Sequence, residues 1–347
     1  MIKFAVVGCG KIGDRHCSII KNMSDADLVA VCDIKEDRAL YFSKKFECPF
    51  FLDYKELIVK KGIDVINICV PNGLHKDVTI FSAKNGKHIL CEKPMAITIK
   101  EADEMILECE KNKVHLFVVK QNRFNPQIVV LKDAVSRGML GKLYMINCSV
   151  MWNRRNEYYQ EEEWRGTKEM DGGALLTQFS HFIDLIQWIG GPIKSIKANL
   201  FNFNHPSIKI EDTGVVIFKF ENGGTGVLSY TTCVYNSNME GTLTVLGTKG
   251  SVKIGGQYVN KIEYWNVEGY PLDINNFERC APPNIYPGYQ GTSSNHDMVI
   301  QNVVDCLSGI CKEIATDGRD GRKSIEIIQA IFKSSELNEE VFLPLLD

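Results

Sequence analysis

Short runs of β-branched and aliphatic residues alternate with longer amphipathic stretches through the first third of the chain. KFAVVG, LVAVCD, VINICV, HILCE and VHLFVVK are nearly continuous apolar runs, the pattern of strands buried on both faces of a parallel sheet. Between them, RHCSIIKNM and IKEADEMILECEKN carry apolar residues at helical spacing. Strand and helix in alternation imply right-handed βαβ units and a doubly wound sheet, an α/β domain. That rhythm stops near Lys120.

The second part reads differently. A helix over residues 126–137 is followed by long alternating segments, KLYMINCSVMW, IKSIKANLFNF, TGVVIFKF, GTGVLSYTTCVY and GTLTVLG. With glycine turns at 222–224 and 247–250, they predict a large, mostly antiparallel sheet open on one face. Helices over 173–188, 294–307 and 321–337 are expected to cover its other face, giving an α+β domain. The expected division is 1–121 and 122–347, with the last helix free to pack back on the first domain. No repeat, low-complexity tract or flexible linker separates the two, and the cleft between them is the default place for a ligand.

Composition narrows the class. The 347 residues are 44% hydrophobic and 24% charged, with a net charge of -3, which leaves no basic field for nucleic acid or an acidic membrane. The opening MIKFAVVGCG has glycines inside its apolar run and no small-residue cleavage site, so it is not read as a signal peptide. No run approaches the ~18 apolar residues of a membrane span, and the expected location is the cytoplasm. Twelve cysteines are scattered, several within strand-like runs, where a thiol behaves as a small hydrophobe. No C-x-x-C pair occurs, and neither disulfides nor a metal are expected.

Gly8-Cys9-Gly10-Lys11-Ile12-Gly13 follows the strand KFAVV and opens a helix. In such a loop the first glycine permits the tight turn and the second lets the backbone approach a pyrophosphate. The third allows close helix–strand packing, and the helix N-terminus offers free N–H groups. Asp33 ends the next strand, where a carboxylate binds the adenosine ribose. Together these predict a dinucleotide site of the Rossmann kind. A carboxylate repels a 2′-phosphate, so NAD is expected rather than NADP, although Lys35 and Arg38 lie close by.

Cys91-Glu92-Lys93-Pro94 follows the strand HIL, at the carboxyl edge of the sheet where doubly wound proteins bind ligands. Partial burial there would lower a lysine's pKa toward the range useful for proton transfer. By itself such a turn is more often an exposed loop. His181 sits on a helix otherwise apolar (Leu175, Phe179, Phe182, Leu185, Ile186, Ile189), where a histidine is commonly a satisfied core residue. His75 follows the strand end Val70-Pro71-Asn72, and His16 lies on the first helix.

AVVGCGKIGDRH, VPNGLHKD, CEKPMA, DGGALLTQFSHFIDL and the closing GRDGRKSIEIIQAIFKSS, in this order, resemble the glucose-fructose oxidoreductase/inositol dehydrogenase (Gfo/Idh/MocA) family along essentially the whole chain. The resemblance implies that Lys93 and His181 flank the sugar carbon that gives up hydride and handle the hydroxyl proton. It also implies a cofactor lining of Gly8, Gly10, Lys11, Ile12, Gly13, Asp33, Val70, Asn72, His75, Glu92, Lys93, Gln121, Trp164 and Arg165. Within the family, NEYYQEEEWRGTKEMDGGALLTQFSHFIDL and QNRFNPQIVVLKDAV are similar to the UDP-N-acetylglucosaminuronate 3-dehydrogenases. These oxidise the 3-hydroxyl of a UDP-linked uronic acid on the way to surface polysaccharides.

Such a substrate is anionic, and Arg123, Arg154, Arg155 and Arg165 are candidate partners for its carboxylate or diphosphate. With Lys93 and His181, the other substrate candidates are Asn125, Thr177, Gln178 and Ser180. Many family members carry an aspartate one helical turn before the histidine, and here that position is Thr177. Trp164 is a candidate to pack on the nicotinamide or the sugar, and the loop 285–291 to reach over the substrate. Two other readings stay open: an inositol or aldose dehydrogenase with the same lysine, and a non-catalytic NAD-binding regulator. The open sheet face implies a homodimer or homotetramer.

Overall fold

The computed structural model describes residues 1–286 and 288–345, so Pro287 of the loop 285–291 lies outside the described residues. The chain divides into two compact units, Met1–Lys120 with His296–Ile325, and Gln121–Asn295 with Glu326–Asp347.

The first unit holds strands β1 (Ile2–Val7), β2 (Ala26–Cys32), β3 (Phe50–Phe51), β4 (Val65–Ile68), β5 (His88–Cys91) and β6 (Leu116–Val118). They form one sheet in the order β3-β2-β1-β4-β5-β6, every pairing parallel. Helices α1 (Lys11–Asn22), α2 (Glu36–Phe46), α3 (Tyr54–Ile58), α4 (His75–Lys84) and α5 (Ile99–Lys111) make the crossovers. The sheet's strands are buried on both faces, as their continuous apolar runs require: Phe4, Ala5, Val6, Ile66, Ile68 and Leu90 are all fully enclosed. Thr98 and Glu101 start α5 with a reciprocal capping box, which satisfies two of its free N–H groups.

In the second unit come α6 (Pro126–Ser136), β7 (Leu143–Met151), α7 (Asn156–Gln160) and α8 (Ser180–Gly190). A π-helical turn, Leu175–Phe179, leads directly into α8. Strands β8 (Ile193–Phe201), β9 (Thr213–Phe220), β10 (Thr225–Thr231), β11 (Glu240–Gly247), β12 (Gly250–Gly255) and β13 (Lys261–Val267) follow. Next is a hairpin of β14 (Pro283–Tyr286) and β15 (Tyr289–Ser293). After α9 (His296–Leu307) and α10 (Gly318–Leu337), β16 (Val341–Phe342) adds to the edge of the large sheet.

That sheet runs β13-β12-β11-β7-β10-β9-β8-β16 and is antiparallel except for β7 against β10. On β9, Val216, Phe218 and Phe220 are buried, whereas Val215 and Ile217 on the other face are 46% and 45% exposed. The alternation in TGVVIFKF therefore marks a sheet covered on one side, as expected. The last five strands, β12 to β16, carried too little alternation to be predicted.

Of the late helices, α9 departs from expectation: it belongs to the first unit and not to the second. The start of α10 also belongs to the first unit, as the expectation for the last helix allowed. The apolar stripe of α9 (Val299, Ile300, Val303, Val304) is buried there against α1. Gly318 closes on Leu116 and Ile106, and Thr316 accepts a hydrogen bond from the Val118 N–H. Helical spacing shows that a face must be buried but not against which sheet. The second half of α10 serves the second unit, where Ser334 and Ser335 accept hydrogen bonds from the Ala198 and Leu200 N–H groups of β8.

The described cysteines are free thiols, and burial pushes that of Cys32 up to about 12. Among the described residues no helix is long and apolar enough to cross a membrane. Phe218 is fully enclosed beneath the large sheet, so Phe218→Ala is expected to cost about 3–5 kcal/mol. Denaturant unfolding measures this, and a loss below ~1 kcal/mol contradicts the placement.

Candidate active site

The glycine loop is built as its sequence requires. Gly8 adopts φ +106, and a Cβ there would lie 2.4 Å from the Cys69 carbonyl oxygen. A Cβ on Gly13 would lie 2.0 Å from the Gly8 carbonyl, so only glycine lets α1 close on the loop. Gly10 has open space where its Cβ would be, and as the N-cap of α1 it brings no capping side chain. No N-cap side chain therefore reaches the first N–H groups of the helix; Lys11 and Ile12, half-buried, begin it. Asp33 is tied to the same loop: Cys9 N–H donates to Oδ2 at 2.8 Å and Lys35 N–H to Oδ1 at 2.8 Å.

At the end of β5, Glu92 is buried and Lys93 half-buried. His16 Nε2 donates to Glu92 Oε1 at 3.0 Å, His296 Nε2 lies 3.5 Å from the same oxygen, and Lys93 N–H donates to Oε2 at 3.1 Å. Asn67 Nδ2 donates to His16 Nδ1 at 3.1 Å, which leaves Nε2 as the protonated nitrogen. Burial alone would raise the Glu92 pKa, but the hydrogen bonds and charge of His16 and His296 outweigh it and hold the carboxyl well below its usual range. His296 had no local signal in the sequence. His75 is almost fully buried, its Nδ1 at 2.8 Å from the Pro94 carbonyl and its Nε2 at 2.9 Å from that of Val70. The ring thus lies between the Val70 and Pro94 carbonyls at the edge of the sheet. Asn72 is buried in the short turn before it.

In the second unit, His181 lies on the first turn of α8 and is buried. Gln121 Nε2 donates to His181 Nε2 at 3.3 Å and to Thr292 Oγ1 at 3.3 Å, so the Nε2 lone pair is the acceptor and the ring proton sits on Nδ1. Thr177, at the position of the missing aspartate, donates its hydroxyl to the buried carboxylate of Asp171. Asp171 also accepts from Gly166 N–H at 2.9 Å. Glu211 accepts from Leu175 N–H at 2.7 Å. Burial, and next to it the Asp171 carboxylate, raise Glu211 to about 8 although main-chain N–H groups pull the other way.

The candidate substrate residues separate. Arg123 is not available to a ligand: its Nε and Nη2 donate to Asp184 Oδ2 and Oδ1 at 2.8 and 2.7 Å in a buried, two-pronged ion pair. Asn125 is likewise consumed, accepting from Ser293 Oγ at 2.6 Å and Asn295 Nδ2 at 2.8 Å while donating to the Val259 carbonyl at 3.2 Å. Arg155 is exposed and donates to Asn236 Oδ1 at 2.6 Å. Gln178 is buried between Arg154 Nε, from which it accepts at 2.9 Å, and Tyr158 Oη, to which it donates at 2.8 Å. Arg165 lies 4.1 Å over the Tyr158 ring and 5.7 Å from half-buried Trp164, and donates to Glu161 at 2.7 Å. His205, whose Nε2 donates to the Arg154 carbonyl at 2.7 Å, is raised to about 9: burial lowers it, but Asp212 at 3.0 Å and other acceptors win.

The raised Glu211 fixes a sign. Its folded value of about 8 lies above the usual 4.5, so the folded state holds the proton more tightly and stability falls as pH rises across that window. Glu211→Gln keeps the acceptor for Leu175 N–H and should lose this slope. Urea midpoints at acidic and mildly alkaline pH are expected to diverge for the parent protein more than for the variant; equal slopes contradict a proton on Glu211.

Comparison with known proteins agrees with this geometry. Residues 2–120 match the family described as "Oxidoreductase family, NAD-binding Rossmann fold", and residues 128–253 match "GFO/IDH/MocA C-terminal domain". The WlbA dehydrogenase of Bordetella pertussis, solved in complex with NADH and UDP-GlcNAcA, is 34% identical with a TM-score of 0.89, covering 99% of this chain and 99% of that one. Its counterpart from Chromobacterium violaceum, solved with the same two ligands, is 34% identical with a TM-score of 0.91, covering 100% of this chain and 97% of that one. Myo-inositol 2-dehydrogenase of Thermotoga maritima is 28% identical over 257 residues, 72% of this chain and 74% of that protein. The chain belongs to the Gfo/Idh/MocA family of oxidoreductases and carries that family's NAD-binding Rossmann domain.

Proposed function

We propose that this protein oxidises the 3-hydroxyl of a UDP-linked N-acetylated uronic acid with NAD, in the cytoplasm, as a step toward precursors of surface polysaccharide such as lipopolysaccharide O-antigen. The observation that carries this reading is the full-length likeness to the two WlbA dehydrogenases bound to NADH and UDP-GlcNAcA.

The residues present suit the cofactor. Gly8, Gly10 and Gly13 would hold its pyrophosphate against the uncapped start of α1, where side chains would collide or intrude. Asp33 would hold the ribose hydroxyls, its carboxylate aimed at the loop by Cys9 and Lys35 N–H groups. NAD, when bound, supplies the acceptor for the hydride that leaves the carbinol carbon.

The chain's own work is to manage the hydroxyl proton. Lys93 follows a carboxylate fixed by two histidines, so its backbone position is set before substrate arrives. Gln121 donates to His181 Nε2 and so fixes the tautomer with the proton on Nδ1, the N–H donor of the ring. In this reading Lys93 takes the hydroxyl proton and His181 positions the hydroxyl oxygen and steadies the charge that develops. The Asp171 carboxylate on Thr177 places a negative charge one helical turn before His181, where many relatives have an aspartate.

A substrate panel tests the reading, with UDP-N-acetylglucosaminuronate, UDP-N-acetylglucosamine, myo-inositol and glucose offered to the NAD-loaded protein and ketone products read by mass spectrometry. Oxidation of the UDP-uronate alone is expected; turnover of inositol or glucose instead would transfer the assignment to a polyol or aldose dehydrogenase. Lys93→Ala should lower kcat by about 10²–10⁴-fold with NADH binding retained, and full activity in that variant would remove Lys93 from the mechanism.

The exposed sheet face, with Phe201, Val215, Ile217 and Phe342, is more apolar than a solvated sheet needs. In this reading a second copy of the chain covers it. Sedimentation is expected to give a dimer or tetramer; a monomer at micromolar concentration would sink this part.

A further inference from the structure

Arg154 is an enclosed guanidinium with no carboxylate beside it. The residue is 2% exposed, and no ion pair reaches it among the described residues. Its backbone is fixed on both sides: Arg154 N–H donates to the Thr232 carbonyl at 2.8 Å, and its own carbonyl accepts from His205. Nε donates to Gln178 Oε1, and Nη1 to the Asn153 carbonyl at 2.7 Å and to Asn238 Oδ1 at 3.4 Å. The hydrogens of Nη2 have no acceptor among the described residues.

The rings of Trp152, Tyr158 and Tyr289 surround the cation at 5.2, 5.5 and 4.9 Å. Each such contact is worth only about 0.5–2 kcal/mol. Neutral hydrogen bonds add ~1 kcal/mol apiece, against a desolvation cost of several kcal/mol for a buried ion. A second cation makes matters worse: Arg165 shares the Tyr158 ring at 4.1 Å and the Tyr289 ring at 6.0 Å. The buried Nε of Arg165 also has no hydrogen-bond partner. Burial, and among the charges Arg165, pull the Arg154 pKa down. Arg165 has a partner in the Glu161 carboxylate at 2.7 Å, so the cation that lacks an anion on this aromatic wall is Arg154, with the open Nε of Arg165 beside it. Gln178, which Arg154 holds, is three residues before His181.

We propose that Arg154, with Arg165 beside it, is the specificity element that reads an acid group on the sugar, a carboxylate taking the open donors of both guanidiniums. This deepens the functional reading above and rests on it for the kind of sugar nucleotide. A planar carboxylate would complete the charge balance of Arg154 by two-pronged hydrogen bonding. A diphosphate is bulkier, carries more charge and needs more donors than these two edges offer.

The test is calorimetric binding to the NADH-loaded protein, with UDP-N-acetylglucosaminuronate, its neutral counterpart UDP-N-acetylglucosamine, and UDP alone as probes. The parent protein should bind the acid about 100-fold more tightly than the neutral sugar nucleotide. Arg154→Gln should remove most of that preference and leave UDP and UDP-N-acetylglucosamine within about 3-fold, and Arg165→Gln should remove roughly 10-fold. Without ligand, Arg154→Gln should melt no lower than the parent, since it deletes an uncompensated charge; a purely structural arginine would show the reverse.

Retained acid preference in Arg154→Gln overturns the inference, as does a parent protein that does not distinguish the two sugar nucleotides. Equal weakening of UDP alone assigns the arginines to the diphosphate and overturns it too. Should Arg154→Gln fail to fold, an unchanged preference in Arg165→Gln is decisive against the pair. A parent that prefers the acid but does not oxidise it leaves this inference standing and refutes the functional reading instead.

Discussion

Burying a carboxylate costs several kcal/mol unless hydrogen bonds and opposite charge replace its water, and in the first unit everything near Lys93 depends on how Glu92 meets that requirement. His16 from α1, His296 from the start of α9 and the Lys93 N–H all converge on it. The three come from segments separated by up to 280 positions, so one ionised group joins the glycine-loop helix, the E-K-P turn and the returning chain. His75 adds a second brace by linking the Val70 and Pro94 carbonyls. The backbone of Lys93 is thereby fixed through its N–H on Glu92.

The second unit solves the same problem with a different distribution of charge. Arg123 and Asp184 neutralise each other in a closed ion pair, a structural use of an arginine. Asp171 and Glu211 crowd two carboxyls at the start of the helical stretch that carries His181, and one of them holds a proton into the alkaline range. Arg165 pairs with Glu161, and Arg154 remains as a cation with aromatic rings and neutral acceptors around it and no carboxylate. The unit thus combines completed pairs, which stabilise, with an incomplete one, which is where a ligand has something to contribute.

These differences decide what could be read without a structure. Asp33, Lys93 and His181 are each placed by a contiguous pattern: a strand end, a turn after an apolar run, a helix with a regular apolar stripe. The threonine in place of a dyad aspartate was visible as a substitution. That Asp171 supplies a carboxylate to it was not, because the bond crosses a loop whose shape no local pattern encodes.

The sequence by itself determined the alternation of strand and helix, the glycine loop and the covered-and-open alternation of β9. Backbone sterics and burial periodicity act over a few neighbouring residues and leave their mark in adjacent letters. Tertiary structure alone decided that α9 returns to the first unit, that Arg123 and Asn125 are used up in packing, and that Arg154 stands without a counter-charge. A long polar side chain announces its charge in the sequence but not its partner. The partner is chosen by which distant segments pack together, and that choice belongs to the whole fold.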